Sequence, residues 1–324
     1  MYIPLEITKK NCSMLLREYE TDQKTATDPI KLVFQDVANH DVYNICAPFE
    51  DEGELVIAGR MESRDSEHSK IVFFVQRDGL WKQREGSPVY HLQDPFFTRI
   101  RGELIVGGVQ IYPHPEREGF LSWRTVLYRG DRIIDLQPFF NGPDGMKDLR
   151  LIELNDGSLG VFTRPQGIKG GRGKIGFTRI PSLSELSLQI IEDAPLLEGQ
   201  FTDEEWGGAN ELHLLSNGWV GVLGHIACYD DYNNRHYYPM VFVLDPETGW
   251  YSDIELVAVR SRFLPGEAKR SDLVDVVFSG GLIRKADGTA DLYAGIGDAE
   301  AHRISISDPF IKFESLIRGG YANE

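Results

Sequence analysis

Residues 90–110, YHLQDPFFTRIRGELIVGGVQ, decide how the rest of the chain is read. Two runs rich in Phe, Ile and Val, PFFTRI and ELIVGGV, are parted by a glycine-containing turn at Arg101-Gly102, the pattern of a strand pair. A carboxylate, Asp94, stands immediately before the pair, at the mouth of a strand. The plan recurs four more times. Asn44 opens NICAPFEDEGELVIAGR, Lys147 opens KDLRLIELNDGSLGVFTRP, Gly208 opens GANELHLLSNGWVGVLGHIA, and Asp275 opens DVVFSGGLIRKADGTADLYAGIGD, with the openers 50 to 67 residues apart. Each copy is an apolar strand, a turn and a second apolar strand ending in polar residues, among them Arg60, Arg164, His225 and Asp298. Repeats of about 40–50 residues with about four strands each mark a β-propeller.

Five copies predict an all-β, five-bladed β-propeller with blades near 42–90, 91–140, 145–192, 203–258 and 270–320. No linker or low-complexity tract interrupts residues 1–324, so a single domain is expected, preceded by an extension at 1–29 with a short helix over 4–19. The apolar run IKLVFQDV (30–37) reads as a strand that completes the last blade and protects its edge. KIVFFVQRDGLW and TVLYRGDRIIDL read as outer hairpins, and RIPSLSELSLQII as the end of the third blade.

Composition narrows the function. A hydrophobic content of 41% supplies a core, yet no apolar run approaches the ~18 residues of a membrane span. MYIPLEITKK lacks the layout of a secretory signal, and three unpatterned cysteines, Cys12, Cys46 and Cys228, suit a reducing compartment, so a cytoplasmic protein is expected. A formal charge of −16 argues against nucleic acid and anionic membrane as partners, which need a basic face. Self-association is left open. Between residues 147 and 179 the balance reverses, with seven Lys/Arg against three Asp/Glu, a candidate anion site. The glycine-rich run GIKGGRGKIGF within it is no Walker loop, since neither Ser nor Thr follows the lysine; a hairpin turn is the plain alternative.

There is no GxSxG, HExxH or CxxC, and the loop holding Asp230, Asp231, Asn233 and Asn234 lacks the glycine and distal glutamate of a calcium site. Neither a metal nor an organic cofactor is expected. What remains is a channel mouth lined by strand starts and ends. It offers carboxylates (Asp94, Asp148, Asp275, Asp298), cations (Lys147, Arg150, Arg164, Arg270, with His225) and aromatics (Trp206, Tyr237, Tyr238). The opener Asn44 and the strand end Arg60, with Asn210 and Glu211 of the fourth copy, join the candidate substrate contacts. Carboxylates hold sugar hydroxyls, ring faces cover sugar C–H surfaces, and Arg and Lys hold phosphate. Each residue also has an ordinary reading. Asp94 and Asp298 suit turns, His225 ends an apolar run, and Trp206 and Trp219 suit a core.

Beyond these patterns, NICAPF, LQDPF, KDLRLIELNDGSLGVFTRPQG, GGRGKIGF, EWGGANELHLLSNGWVGVLGHIA, KRSDLVDVVFSGGL and DLYAGIGDAEAHR resemble the β-mannoside phosphorylases of glycoside hydrolase family 130. They resemble more closely the DUF1861 relatives that include the trypanosomatid mannosyltransferase/phosphorylases. The resemblance implies inverting transfer of mannose between a β-mannoside, β-1,2-linked by this analogy, and inorganic phosphate as co-substrate, with mannose 1-phosphate on the phosphate side. It implies that Asp94 is a general acid acting through a sugar hydroxyl, that Lys147, Arg164 and His225, with Arg150, hold phosphate, and that Asp298 holds the terminal mannose. One departure stands out: the arginine that follows Asp-Pro in the family is Phe96 here, with Arg150 or Arg99 as possible replacements. An inverting phosphorylase needs an acid and cations but no second carboxylate as base, because phosphate is already ionised. The alternatives are a GDP-mannose-dependent β-mannosyltransferase, a β-mannosidase with Glu205 or Glu211 as base, and a non-catalytic sugar-binding propeller.

Overall fold

The computed structural model describes residues 8–22, 24 and 26–315, and among these the strands form four hydrogen-bonded sheets. The largest divides at a seam only two residue pairs long, where Arg235–Leu244 meets Asp275–Arg284 in parallel through His236–Asp275 and Tyr237–Val276. The chain therefore contains five antiparallel units, and each of the five sequence repeats supplies one.

The first unit comprises Asp41–Tyr43, Phe49–Asp51, Glu54–Glu62, Lys70–Arg77 and Leu80–Gln83; the second, Gln93–Ile100, Glu103–Pro113, Leu121–Gly130 and Gln137–Asn141. Their tight turns follow from sequence: Asp78-Gly79 and Arg101-Gly102 all take positive φ, the conformation whose twist matches that of paired strands. The third unit holds Arg150–Glu153, Leu159–Thr163 and Gly176–Ile180, the fourth Trp206–Leu214, Val220–Tyr229, Arg235–Leu244 and Glu255–Leu256, and the fifth Asp275–Arg284, Thr289–Ile296 and Glu300–Ser307.

Both faces of each unit are buried, because successive strand residues point to opposite faces. Phe73 packs with Leu104 and Val106 of the second unit, while its neighbour Phe74 packs with Tyr293 and Ala301 of the fifth. Five core clusters lie between consecutive units in this way, and the one containing Ile45, Ile57 and Tyr293 joins the last unit to the first.

Four expectations are corrected. The strand foreseen over 30–37 is two: Ala26–Lys31 pairs antiparallel with Glu300–Ser307 of the fifth unit, and Phe34–Gln35 pairs parallel with Leu80–Gln83 of the first. The closing segment thus begins inside the expected extension and ties both ends of the series. The helix foreseen over 4–19 runs Cys12–Thr21, where the Asn11 side chain accepts from the Met14 amide and Cys12, Leu15 and Tyr19 face the core; residues 4–7 lie outside the described residues. The third unit has no fourth strand. Leu183, Leu186 and Ile190 recur at helical rather than alternating spacing, and the segment forms a 3-10 turn, Leu183–Glu185, then the helix Leu188–Asp193 capped by Ser187. The fifth unit begins at Asp275, behind a 3-10 turn at Ser271–Leu273, and ends at Ser307; residues 316–320 lie outside the described residues. Among the described residues no helix is long and apolar enough to cross a membrane.

Candidate active site

The starts of the inner strands share an uncommon backbone conformation. Asn44, Asp94 and Asp148 take φ of +44°, +49° and +59°, and Asp298, in a turn of the fifth unit, takes +52°. Among non-glycine residues Asn and Asp tolerate this left-handed region best, and such strain concentrates at functional sites. At Asp94 it coincides with a bulge, where the pairing with Glu103–Pro113 shifts between Gln93 and Phe96. All four side chains line one cavity of about 330 Å³.

On one wall, Asp94 accepts a hydrogen bond from Asn44 Nδ2 at 2.8 Å and from Arg60 Nη1 at 3.1 Å. Arg60 is fixed from behind: it donates to Glu62 at 2.8 Å and to Ser69 Oγ at 2.8 Å, and Glu62 is held in turn by Tyr43 and Lys269. Burial alone would raise the pKa of Asp94; Arg60, Lys147 and the Asn44 hydrogen bond outweigh it and hold the carboxyl below its ordinary value. Asp298 goes the other way. Burial pushes it up, and the nearby charge of Asp94 adds to that against the pull of Arg60. The two carboxyls therefore differ in proton affinity, the arrangement by which acid and base roles are separated.

Lys147, Arg164 and His225, which line the same cavity, gather around Asp148. Arg164 lies 3.3 Å from Asp148 and donates its Nε to the Gly207 carbonyl at 2.8 Å. Gly208 is glycine for a reason here: a Cβ would stand 2.6 Å from Asp148 Oδ2 and 2.9 Å from Arg164 Cδ. The glycine-rich run packs on the same arginine, where a Cβ on Gly173 would meet the guanidinium at 2.6–2.9 Å. Burial favours the charged form of neither group, but for Asp148 the surrounding Arg164, His225, Arg150 and Lys147 prevail and lower its pKa. His225 is pushed down to about 3, first by burial and then, against the pull of Asp148, by the neighbouring cations, so it is neutral near pH 7. Among the described residues, Arg164 Nη1 has no hydrogen-bond partner, nor has the Lys147 ammonium, and Nε2 of His225 is likewise uncommitted. The three side chains line the cavity, with Arg164 Nη1 itself buried at its edge. Buried donors without partners are rare and call for an acceptor.

The structure thus brings together Asn44, Arg60, Asp94, Lys147, Asp148, Arg164, His225 and Asp298. Other expected site residues stand elsewhere. Arg150 lies 3.6 Å over the Phe96 ring and donates to the backbone carbonyls of Asn210 and Leu149, with burial lowering its pKa to about 10. It is a support beneath the site rather than a lining cation. Arg99 donates to the carbonyls of Gly102 and Glu50, so neither arginine takes the place vacated at Phe96. Glu211 accepts from His213 and the Leu282 amide, and Glu205 from the Cys12 amide and Thr202; neither lines the cavity. Tyr238 and Asp275 bond each other at 2.8 Å on the seam between the fourth and fifth units. Asn210 sits behind His225. Trp206 lines a second cavity, of about 450 Å³, with Trp123, Tyr229 and Arg172; it shares Lys147, Arg164, Arg235 and Tyr237 with the first. Gln93, Glu67, Arg235 and Phe278 line the first cavity and were not singled out by sequence; Gln93 alone carried a signal, its place beside Asp94. Among the described residues no group of three His, Cys, Asp or Glu is placed to hold a metal ion.

Solved structures resemble this chain along most of its length. A mannose phosphorylase from Leishmania mexicana, solved with a phosphate ion, is 34% identical, with 94% of this chain and 95% of that one covered and a TM-score of 0.85. A GDP-Man-dependent mannosyltransferase from the same organism is 32% identical, covering 95% and 97%, with a TM-score of 0.84. A β-1,2-mannobiose phosphorylase from Listeria innocua, solved with β-1,2-mannobiose, shares the fold at 15% identity, covering 86% and 93%, with a TM-score of 0.57. No curated protein sequence matches the chain. The profile described as protein of unknown function (DUF1861) matches residues 18–312, and the chain belongs to that family.

Proposed function

We propose that this protein is an inverting β-mannoside phosphorylase built on a five-bladed β-propeller. The five antiparallel units are the blades, the cluster joining the last to the first closes the ring, and the 330 Å³ cavity is the sugar and phosphate site. One observation carries the reading: three donor side chains, Lys147, Arg164 and His225, line one cavity of ligand size together with the carboxyls of Asp94 and Asp298. Asn44, Arg60, Asp94 and Asp298 hold mannose, and the three donors hold phosphate in line with its anomeric carbon.

In phosphorolysis a phosphate oxygen bonds to that carbon as the glycosidic C–O bond breaks on the other face, and the leaving oxygen takes a proton that Asp94 supplies through a sugar hydroxyl. In the free protein Asp94 is held ionised. That state serves synthesis directly, because the carboxylate takes the proton of the incoming acceptor hydroxyl as phosphate departs. For phosphorolysis, bound phosphate offsets the pull of Lys147 on Asp94 and raises its proton affinity. With Glu205 and Glu211 engaged elsewhere, no second carboxylate from either is set to activate water.

A second reading, a sugar-nucleotide donor, is favoured by the second cavity, whose aromatic walls adjoin the anion donors. Three incubations separate the readings: β-1,2-mannobiose with phosphate, the same without phosphate, and GDP-mannose with a mannose acceptor. The expected outcome is mannose 1-phosphate in the first alone. Free mannose without phosphate, or transfer only from GDP-mannose, overturns the phosphorylase.

A further inference from the structure

The Asn210 side chain behind His225 carries information about where the histidine holds its proton. Asn210 Oδ1 stands 2.9 Å from His225 Nδ1 and 3.2 Å from Ser279 Oγ, while Asn210 Nδ2 is buried with no acceptor. Ser279 has a single hydroxyl proton, and the Gly224 carbonyl at 2.7 Å takes it. Two oxygens then face each other at Ser279, and a two-proton donor is left idle. A half-turn of the carboxamide removes both defects, since its two ends are told apart only by their hydrogen bonds. The NH₂ then donates to Ser279 Oγ and to His225 Nδ1, and one carbonyl goes without a donor, a milder defect than an orphaned donor.

We propose that Asn210 is a positioning residue that presents its NH₂ to His225, keeps the imidazole proton on Nε2, and so turns a neutral histidine into a hydrogen-bond donor for the bound anion. With the opposite tautomer the Nε2 lone pair would face phosphate and repel it. The groups around the ring fit: Asp148, Lys147, Arg150 and Arg164 face it from the third unit, Tyr237 stacks on it from the adjacent strand with centroids 5.4 Å apart, and Phe278 packs against it from the fifth unit. The low pKa of His225, about 3, keeps it neutral across the working range, so its donor capacity depends on the tautomer alone.

The inference rests on the phosphate reading of Lys147, Arg164 and His225, but its first test needs no catalysis. In protein labelled with ¹⁵N-histidine, two-bond proton–nitrogen spectra at pH 7 distinguish bare from protonated ring nitrogens, and His225→Gln assigns the signal. A bare Nδ1 and protonated Nε2 are expected; a protonated Nδ1 overturns the proposal while leaving the phosphate site untouched. The second test is Asn210→Asp, whose carboxylate accepts but cannot donate. Inorganic phosphate, titrated by calorimetry, should bind the variant about tenfold or more weakly than wild type at pH 8. Towards pH 5.5 the ratio of the two affinities should close, because the added carboxylate lets His225 take a second proton and donate from both nitrogens; using the ratio cancels the titration of phosphate itself. A ratio that does not change with pH would mark Asn210 as a packing residue only and refute the role. Failure of wild type to bind phosphate at all would instead refute the phosphate reading.

Discussion

Gly173→Ala tests whether the glycine-rich run exists to seat Arg164. Gly173 has φ of +141°, and an added Cβ would lie 2.6 Å from Arg164 Nη2, 2.7 Å from Cζ and 2.9 Å from Nε. The guanidinium cannot yield freely, since Arg164 is 2% exposed, donates to the Gly207 carbonyl and pairs with Asp148. Relief therefore means displacing the guanidinium from its seat beside Asp148 and the Gly207 carbonyl, on top of backbone strain of about 1–3 kcal/mol. Losing a charge-assisted hydrogen bond to phosphate is worth about 1.5–3 kcal/mol, a weakening of roughly 10- to 150-fold. Gly171→Ala is the control: with φ +58° and ψ −120° its backbone is also strained for a side chain, but nothing lies within 4 Å of its Cβ. It should lower unfolding stability by about 1–3 kcal/mol through backbone strain, seen as a lower urea midpoint, and leave phosphate affinity alone. The assay is the phosphate KM in mannobiose phosphorolysis, or phosphate titration calorimetry where turnover is low, with urea unfolding of both variants. If Gly173→Ala bound phosphate within threefold of Gly171→Ala, Arg164 would not be the anion's anchor.

Asp94→Asn keeps the left-handed backbone and the Asn44 and Arg60 contacts but removes the transferable proton, so turnover in either direction should fall by about 10²–10⁴ with far-UV dichroism unchanged; full activity on every mannoside would remove Asp94 from the mechanism. Asp298→Asn mimics the protonated state that burial favours and should cost less than about tenfold in kcat, its larger effect falling on mannoside KM. Arg150→Met should destabilise by about 1–3 kcal/mol, through the lost hydrogen bonds to the Asn210 and Leu149 carbonyls, while changing phosphate KM less than threefold. Stability should also depend on pH with a definite sign. Asp94 and Asp148 are depressed in the fold, so their contribution is present above the unfolded value of 3.8 and is lost as pH falls through their folded values. Asp298 is raised, so its contribution is present below 3.8 and is lost as pH climbs through its folded value. Urea midpoints of Asp148→Asn should fall less than those of wild type on acidification; a parallel fall would show that Asp148 is not held ionised.

Repetition made much of this legible. Five apolar hairpins spaced along the chain carry their own signal, because strand alternation and glycine turns are local chemistry, and the openers Asn44, Asp94 and Lys147, with the strand ends Arg60, Arg164 and His225, met in one cavity as their equivalent places suggested. The resemblance at LQDPF and GIGDAEAHR pointed to Asp94 and Asp298 for the same reason: short motifs fix backbone conformation where they lie. The third unit shows the limit, since the helical spacing of Leu183, Leu186 and Ile190 was present in the sequence and was overridden by the expectation of one more strand.

The sequence by itself determined the strand pairs, their turns, the net negative charge and the residue types gathered at strand tips. Tertiary structure alone decided which tips look inward. Bulges at Asp94, Asn210 and Gly280 break the two-residue alternation, so equivalent places in the repeats do not aim their side chains alike. Beside two of these bulges Glu211 turns to the Leu282 amide and Gln93 reaches the cavity, while Arg150, on an unbroken strand, lies over the Phe96 ring. Proton affinities were decided there too: Asp94 and Asp298 are the same residue type, and only the arginine, lysine and buried volume packed against each drive one down and the other up.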